Sequence, residues 1–270
     1  MTELILRGKR VRLVAALHLP SMQHMAHPHG LPLTEVIAFA LRNAGMALDG
    51  GVDALYIQDL GDYPAAPEVQ PHTLTRMTAV GRALRERYPE APLGVCLMAH
   101  GAQGPLAVAE AMEGDFVRLK VYVGAMAKAE GILEGCAYEA VQYRSAIRGE
   151  GIALLADIYD RTGTALGPLP VNNAAQQAVT FGRADGLVLT GQSLVESLEM
   201  VSQVREASIG VPLLIGGGVG PETMAEALQV ADAVIVSSAL KQTPGWHAAA
   251  LSSDWDRGKV RALVTEASKA

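Results

Sequence analysis

The feature that most constrains this chain is a strict alternation of short apolar runs with longer stretches of helical period. The runs are VRLVAAL (11–17), DALYIQ (53–58), LGVCLMA (93–99) and FVRLKVYV (116–123). IALLADIY (152–159), DGLVLT (185–190), PLLIGG (212–217) and AVIVSS (233–238) complete the set. Several are apolar almost without interruption, as strands covered on both faces must be. The stretch after the first run can be capped by Thr34 and ended by Gly50–Gly51, and the stretch at 132–147 after the fourth also reads as helix. Alternation over a whole chain demands a parallel sheet, closed into a barrel or left open and doubly wound. Eight such units in 270 residues favour the closed barrel, which commonly takes about 250 residues. No composition shift or long linker divides the chain. One α/β domain, a (β/α)8 TIM barrel over 1–270, is therefore expected.

Half of the residues are hydrophobic and 19% are charged, enough to bury a large core and exclude general disorder. A net charge of −6 argues against a nucleic acid polymer as partner, because phosphate backbones are held by dense Lys/Arg surfaces. Arg7, Lys9, Arg10 and Arg12 form the only basic cluster and read as a solvated edge. The two cysteines, Cys96 and Cys136, form no CxxC pair, which fits a reducing cytoplasm. The first residues lack the order of a signal peptide, and no run is long enough to span a membrane. Association into a homo-oligomer through outer helices is a further expectation.

Barrels of this kind carry their sites at the C-terminal ends of the strands. The residues ending the runs are His18, Asp59, His100, Tyr122, Asp157 with Asp160 and Arg161, Thr190 followed by Gly191, Gly217 and Ser237. The clearest motif is LLIGGGVGPETM at 213–224. Gly216, Gly217, Gly218 and Gly220 let bare backbone N–H groups face an anion, and a helix from Pro221 would add its dipole. Ser237, Ser238 and Lys241 follow the last run. Together these loops predict a grip for the phosphate of a small phosphorylated molecule. GxxxxGKS/T occurs nowhere and GxGxxG does not follow the first run, so no nucleotide cofactor fold is expected, and no other cofactor is implied.

In the fourth run, Arg118, Lys120 and Tyr122 share one parity and Val117, Leu119 and Val121 the other. Arg118 and Lys120 would point into the barrel, with Asp157 or Asp59 as counter-charges. They form either a substrate-holding, catalytic cluster or a structural ion pair; a buried lysine can also act as base or Schiff-base nucleophile. His18 suits substrate contact or acid–base work. His24, His27 and His29 lie close in sequence, but with no carboxylate nearby they predict no metal site. Cys96 reads as core, and Met22, Met25 and Met126 as gap filling or pocket wall.

The stretches ALHLP (16–20), GGVDALYIQDLGDYP (50–64), FVRLKVYVGA (116–125), GILEGCAYEAVQYR (131–144), ADIYDR (156–161), ADGLVLTG (184–191), LLIGGGVGPET (213–223) and SSALK (237–241) resemble the BtpA family, including its SgcQ-like members. The resemblance implies a barrel of the ribulose-phosphate-binding group. It carries His18, Asp62, Arg118 and Asp157 over as site positions, Asp62 from the loop after the second strand. The chain departs from the family pattern at Gln58-Asp59-Leu60, Cys96 and Lys120. Two functions follow as expectations. One is an enzyme on a sugar phosphate or nucleotide-like compound, through lyase, aldolase, isomerase or glycosyl-bond chemistry. The other is a non-enzymatic accessory factor of the photosystem I biogenesis type.

Overall fold

The computed structural model describes residues 2–22, 30–245 and 247–270. Its centre is a closed barrel of parallel strands in chain order. The strands are β1 (Leu13–His18), β2 (Ala54–Gln58), β3 (Leu93–Cys96), β4 (Phe116–Leu119), β5 (Ala153–Ile158), β6 (Gly186–Leu189), β7 (Leu213–Ile215) and β8 (Ala233–Val236). Helices α1 (Leu33–Leu48), α2 (Pro71–Arg87), α3 (Gln103–Ala111), α4 (Ala137–Ala146), α5 (Val171–Thr180), α6 (Leu194–Glu206), α7 (Met224–Val230) and α8 (Arg257–Lys269) follow the strands in turn. Among the described residues, no helix is long and apolar enough to cross a membrane.

Side-chain parity builds two cores. Val14 and Ala16 of β1, Tyr56 of β2, Phe116 of β4, Leu155 of β5 and Val188 of β6 fill the barrel interior. Their neighbours Leu13, Ala15, Leu17, Val117 and Leu154 pack outward against the helices. The bottom is closed by an antiparallel ribbon, Ile5–Leu6 with Lys9–Arg10, whose Leu6 joins the interior cluster with Leu4 and Val11. The basic cluster there is more than a solvated edge. Arg7 pairs with Asp115, the Lys9 ammonium donates to the Glu90 carbonyl, and Arg12 donates to that of Ala267.

Four expectations need correction. Strand β4 stops at Leu119, so Tyr122 leaves the barrel; its ring packs among the helices and its hydroxyl donates to the Gly182 carbonyl. The segment at 131–134 is not helical. Gly131–Glu134 pairs with Ala125–Lys128, which also pairs with Thr164–Ala165, making a three-stranded antiparallel flap. Helix α4 therefore begins only at Ala137, after Gly135, where a side chain would collide with the Tyr122 carbonyl at 2.7 Å. Thr34 lies inside the first turn of α1, whose N-cap is Pro32, and makes no capping bond. Pro221–Thr223 is a single 3-10 turn before the seven-residue α7, so the macrodipole adds little to the preceding glycine turn.

Candidate active site at the C-terminal rim

The C-terminal strand ends surround a cavity of about 350 Å³. One wall is the glycine turn after β7. A side chain at Gly216 would lie 1.8 Å from Thr190 Oγ1 and 3.2 Å from Arg118 Nη2, so only glycine fits. Gly218 sits at φ +80°, a conformation that glycine reaches without strain. The amides of Gly217 and Gly218 make no hydrogen bond to the described residues, whereas that of Gly220 donates to Thr223 Oγ1 at 3.0 Å. Ser237, Ser238 and Ala239 form the facing wall.

A third wall comes from the end of β5. Tyr159 adopts φ 62°, and the reversal carries Asp160, Arg161 and Thr162 onto the cavity. Asp160 accepts from Lys128 of the flap and from the Thr162 amide at 3.0 Å. Burial opposes ionisation of Asp160, but Lys128 outweighs it and holds the carboxyl below the usual carboxylate range. Lys128 lies on a hairpin that the hydrophobic pattern did not announce, so no sequence signal marked it.

The floor is made by the inward residues of β2 and β4. Arg118 donates from Nε to Asp157 Oδ2 at 3.0 Å, from Nη2 to Asp157 Oδ1 at 2.9 Å, and from Nη1 to the Tyr56 hydroxyl at 2.8 Å. Burial works against both charges of this pair. It lifts Asp157 to about 6, while Asp157 keeps the Arg118 guanidinium firmly protonated. Lys120, just past β4, also lines the cavity and donates to the Met98 carbonyl at 2.5 Å. Tyr56 and Gln58 line it as well. Their shared parity on β2 was a readable signal.

His18 lines the rim with Nδ1 3.2 Å from Ser237 Oγ. Burial, then the nearby charges of Lys241, Arg118 and Arg161, lower its pKa to about 3, so it works as a neutral imidazole. Cys96 touches the cavity, but burial pushes its thiol up to about 12, which leaves it unreactive.

Other expected residues stand behind the lining. Asp157 reaches the cavity only through Arg118. Asp59 accepts the Met98 amide at 2.7 Å and is lifted to about 6 by burial. Asp62 accepts the Ser21 hydroxyl at 3.0 Å and the Met22 amide at 2.7 Å, which holds those two residues after β1. The Gly191 amide donates to Ser197 Oγ at 2.9 Å, and Gly191 borders an adjoining cleft of about 380 Å³ that shares Asp160, Arg161 and Thr190 with the first. Lys241 is fully buried and does not line the cavity. His100 ties down the flap by donating to the Glu134 carbonyl at 2.7 Å. Met126 is buried beneath the flap with Val121 and Leu133. His24, His27, His29 and Met25 fall outside the described residues; among those described, no cluster of His, Cys, Asp and Glu could hold a metal ion.

The arrangement is a pocket rich in donors, with bare amides on one side, cations on the floor and a neutral imidazole between them. The barrel itself recurs in solved structures of low sequence identity. Thiamine phosphate pyrophosphorylase from Pyrococcus furiosus has a TM-score of 0.57 at 17% identity, with 96% of each chain covered. 3-Hexulose-6-phosphate synthase from Salmonella typhimurium has a TM-score of 0.55 at 16% identity, covering 96% of this chain and 99% of its own. At such identities the likeness is one of fold. In sequence, the photosystem I biogenesis protein BtpA of Synechocystis sp. is 31% identical over 213 residues, 78% of this chain and 74% of its own. The model of the BtpA family matches residues 9–269, so the chain belongs to the BtpA family.

Proposed function

We propose that this protein is an enzyme acting on a small phosphorylated compound. Its phosphate is held between the Gly217–Gly220 turn and Ser237–Ser238, with Arg161 beside it. The observation that carries this reading is the pair of unused amides at Gly217 and Gly218, on the lining of the same cavity as Ser237 and Ser238. Two structural neighbours, a thiamine phosphate pyrophosphorylase and a 3-hexulose-6-phosphate synthase, are named for phosphorylated compounds of this class.

The rest of the substrate meets Arg118, Lys120, His18 and Asp160. Phosphate binding supplies energy that positions the reacting carbon against these groups. Arg118 and Lys120 can hold an oxygen bearing negative charge, as carbonyl-based lyase, aldolase and isomerase reactions require. His18, kept neutral, gives and accepts hydrogen bonds without adding charge. Asp160 is the ionised acceptor on the lining.

A thermal-shift series with inorganic phosphate, ribose 5-phosphate and glycerol 3-phosphate tests the grip. A ligand at about a hundred times its Kd should stabilise the fold by about 2.7 kcal/mol. Gly218→Asp, which adds both a strained side chain and a repelling charge, should abolish the shift, and Arg161→Gln should weaken it. If no compound shifts the wild type, a second reading gains. Tyr138 and Phe181, 80% and 81% exposed, border an apolar cleft between α4 and α5, as an accessory factor of the BtpA type would need.

A further inference from the structure

Around the cavity floor the cations differ in how directly they are paired, Asp59 acting on Lys120 only at longer range. Arg118 is matched by Asp157, and Asp160 by Lys128. Lys120 has no such partner: among the described residues no carboxylate lies within ion-pair distance of its ammonium, which donates only to the Met98 carbonyl. An ammonium has three N–H donors, so two remain for a ligand. Arg118 uses one N–H at Nη1 and one at Nη2, leaving one on each. A third donor converges on the same place. Thr190 Oγ1 is buried without a hydrogen-bond partner among the described residues, next to Gly216, where an added side chain would also meet Arg118 Nη2. Buried polar groups almost always find partners, and the exceptions call for an explanation.

We propose that the substrate carries a carboxylate in addition to its phosphate, held on the floor by Lys120 and Arg118 with Thr190 completing the donor set. A carboxylate supplies two oxygens and about four acceptor sites, which suits several donors arriving from different strands. Asp59, Asp157 and Asp160 act on Lys120 only beyond ion-pair distance, so a substrate carboxylate would supply the direct partner that a neutral hydroxyl or carbonyl would not. The substrate class is therefore a phosphorylated hydroxy acid or keto acid rather than a simple sugar phosphate. This rests on the phosphate reading above. It adds a second anion subsite in the same cavity, formed from β4 and β6 next to the glycine turn instead of by the loops after β7 and β8 themselves.

Binding of 3-phosphoglycerate, glycerol 3-phosphate, glycerate and inorganic phosphate, measured by calorimetry at one ionic strength, tests it. The wild type should bind 3-phosphoglycerate about tenfold or more tightly than glycerol 3-phosphate. Lys120→Gln should bring that ratio close to one while glycerol 3-phosphate binding changes little. Lys120→Arg, which keeps the charge, should retain part of the preference and serves as the control for folding. If glycerol 3-phosphate binds and the carboxylate adds nothing, the carboxylate subsite is overturned and the phosphate grip stands. If glycerate binds through Lys120 while the phosphate compounds gain nothing from their phosphate, the grip is what fails. If Lys120→Gln weakens every ligand alike, or nothing binds, the carboxylate proposal is rejected.

Discussion

The two ends of the barrel treat buried polar groups in opposite ways. At the bottom an aspartate stands immediately before every second strand; each accepts backbone amide hydrogen bonds, and three of the four also pair with an arginine. Asp53 accepts the Arg12 and Leu13 amides at 2.9 and 2.8 Å. Asp115 accepts the Leu93 amide and Arg85 Nη2, both at 2.8 Å, and also Arg7. Asp185 accepts the Leu154 amide and Arg144, and Asp232 the Leu213 amide and Arg205. Each aspartate opens an even strand and pins the start of the odd strand before it. At the top, by contrast, Thr190 Oγ1, on the cavity, and the Lys241 ammonium, behind it, are buried without a hydrogen-bond partner among the described residues. Satisfied polar groups stabilise a barrel, and unsatisfied ones cost stability unless a ligand completes them. The difference parallels the division expected of such barrels, stability at the N-terminal face and binding at the C-terminal face.

The strongest way to break this comparison is at Asp115. Its partner Arg85 has a side chain only 4% exposed. Asp115→Asn removes the counter-charge but keeps the shape, and should destabilise the fold by about 3 kcal/mol, the lower end for breaking a buried pair. Arg85 keeps its bonds to the carbonyls of Glu113, Tyr88, Pro89 and Ala91, which moderates the loss. A urea denaturation midpoint measures it. Ligand affinities under native conditions should stay unchanged. A loss below about 1 kcal/mol would mean that the bottom pairs are decoration.

At the top, Lys241 should respond in the other direction. Burial lowers its ammonium pKa to about 8. A base whose pKa is depressed by folding adds most stability above its unfolded value, near 10.5, and that contribution is lost as pH falls through about 8. At pH 7 the buried charge therefore costs stability. Lys241→Met, similar in length and uncharged, should raise stability at pH 7 by roughly 2–3 kcal/mol. The gain should shrink towards zero as pH rises past 10. A gain that does not vary with pH would show that packing, not charge, was responsible.

The barrel was legible because strand runs and helical stretches differ in period, and because parity along β4 put Arg118 inside. The turn at 216–220 was legible for the same kind of reason: only glycine tolerates φ +80° at 218 and the contact at 216. The flap was not. Ile132 and Leu133 fit the helical period that continues into α4, and nothing local says that residue 135 breaks it. Asp59 and Asp62 were placed at the right end of the barrel. Their acceptor atoms, however, turn to backbone amides that only the fold brings near. The repeated aspartate at 53, 115, 185 and 232, each immediately before or at the start of an apolar run, was visible in the sequence and is a signal that only the fold explains.

The smallest expected effect is also the sharpest test, because it asks whether an orphan at the top behaves unlike a satisfied group at the bottom. Thr190→Val replaces the buried hydroxyl by a methyl of nearly the same shape. With no hydrogen bond to lose, the change removes a desolvation penalty of about 1 kcal/mol, although the larger methyl must crowd the Gly216 backbone. The net expectation is a melting temperature unchanged or slightly raised, by about 2–4 °C for a chain of this size. Binding should move independently. The affinity for 3-phosphoglycerate should fall severalfold, with glycerol 3-phosphate little affected, since the hydroxyl would donate only to the carboxylate. Stability lost on the scale of Asp115→Asn would place Thr190 among the structural groups. Unchanged stability with unchanged binding would remove it from the donor set and leave Lys120 and Arg118 to hold the carboxylate alone.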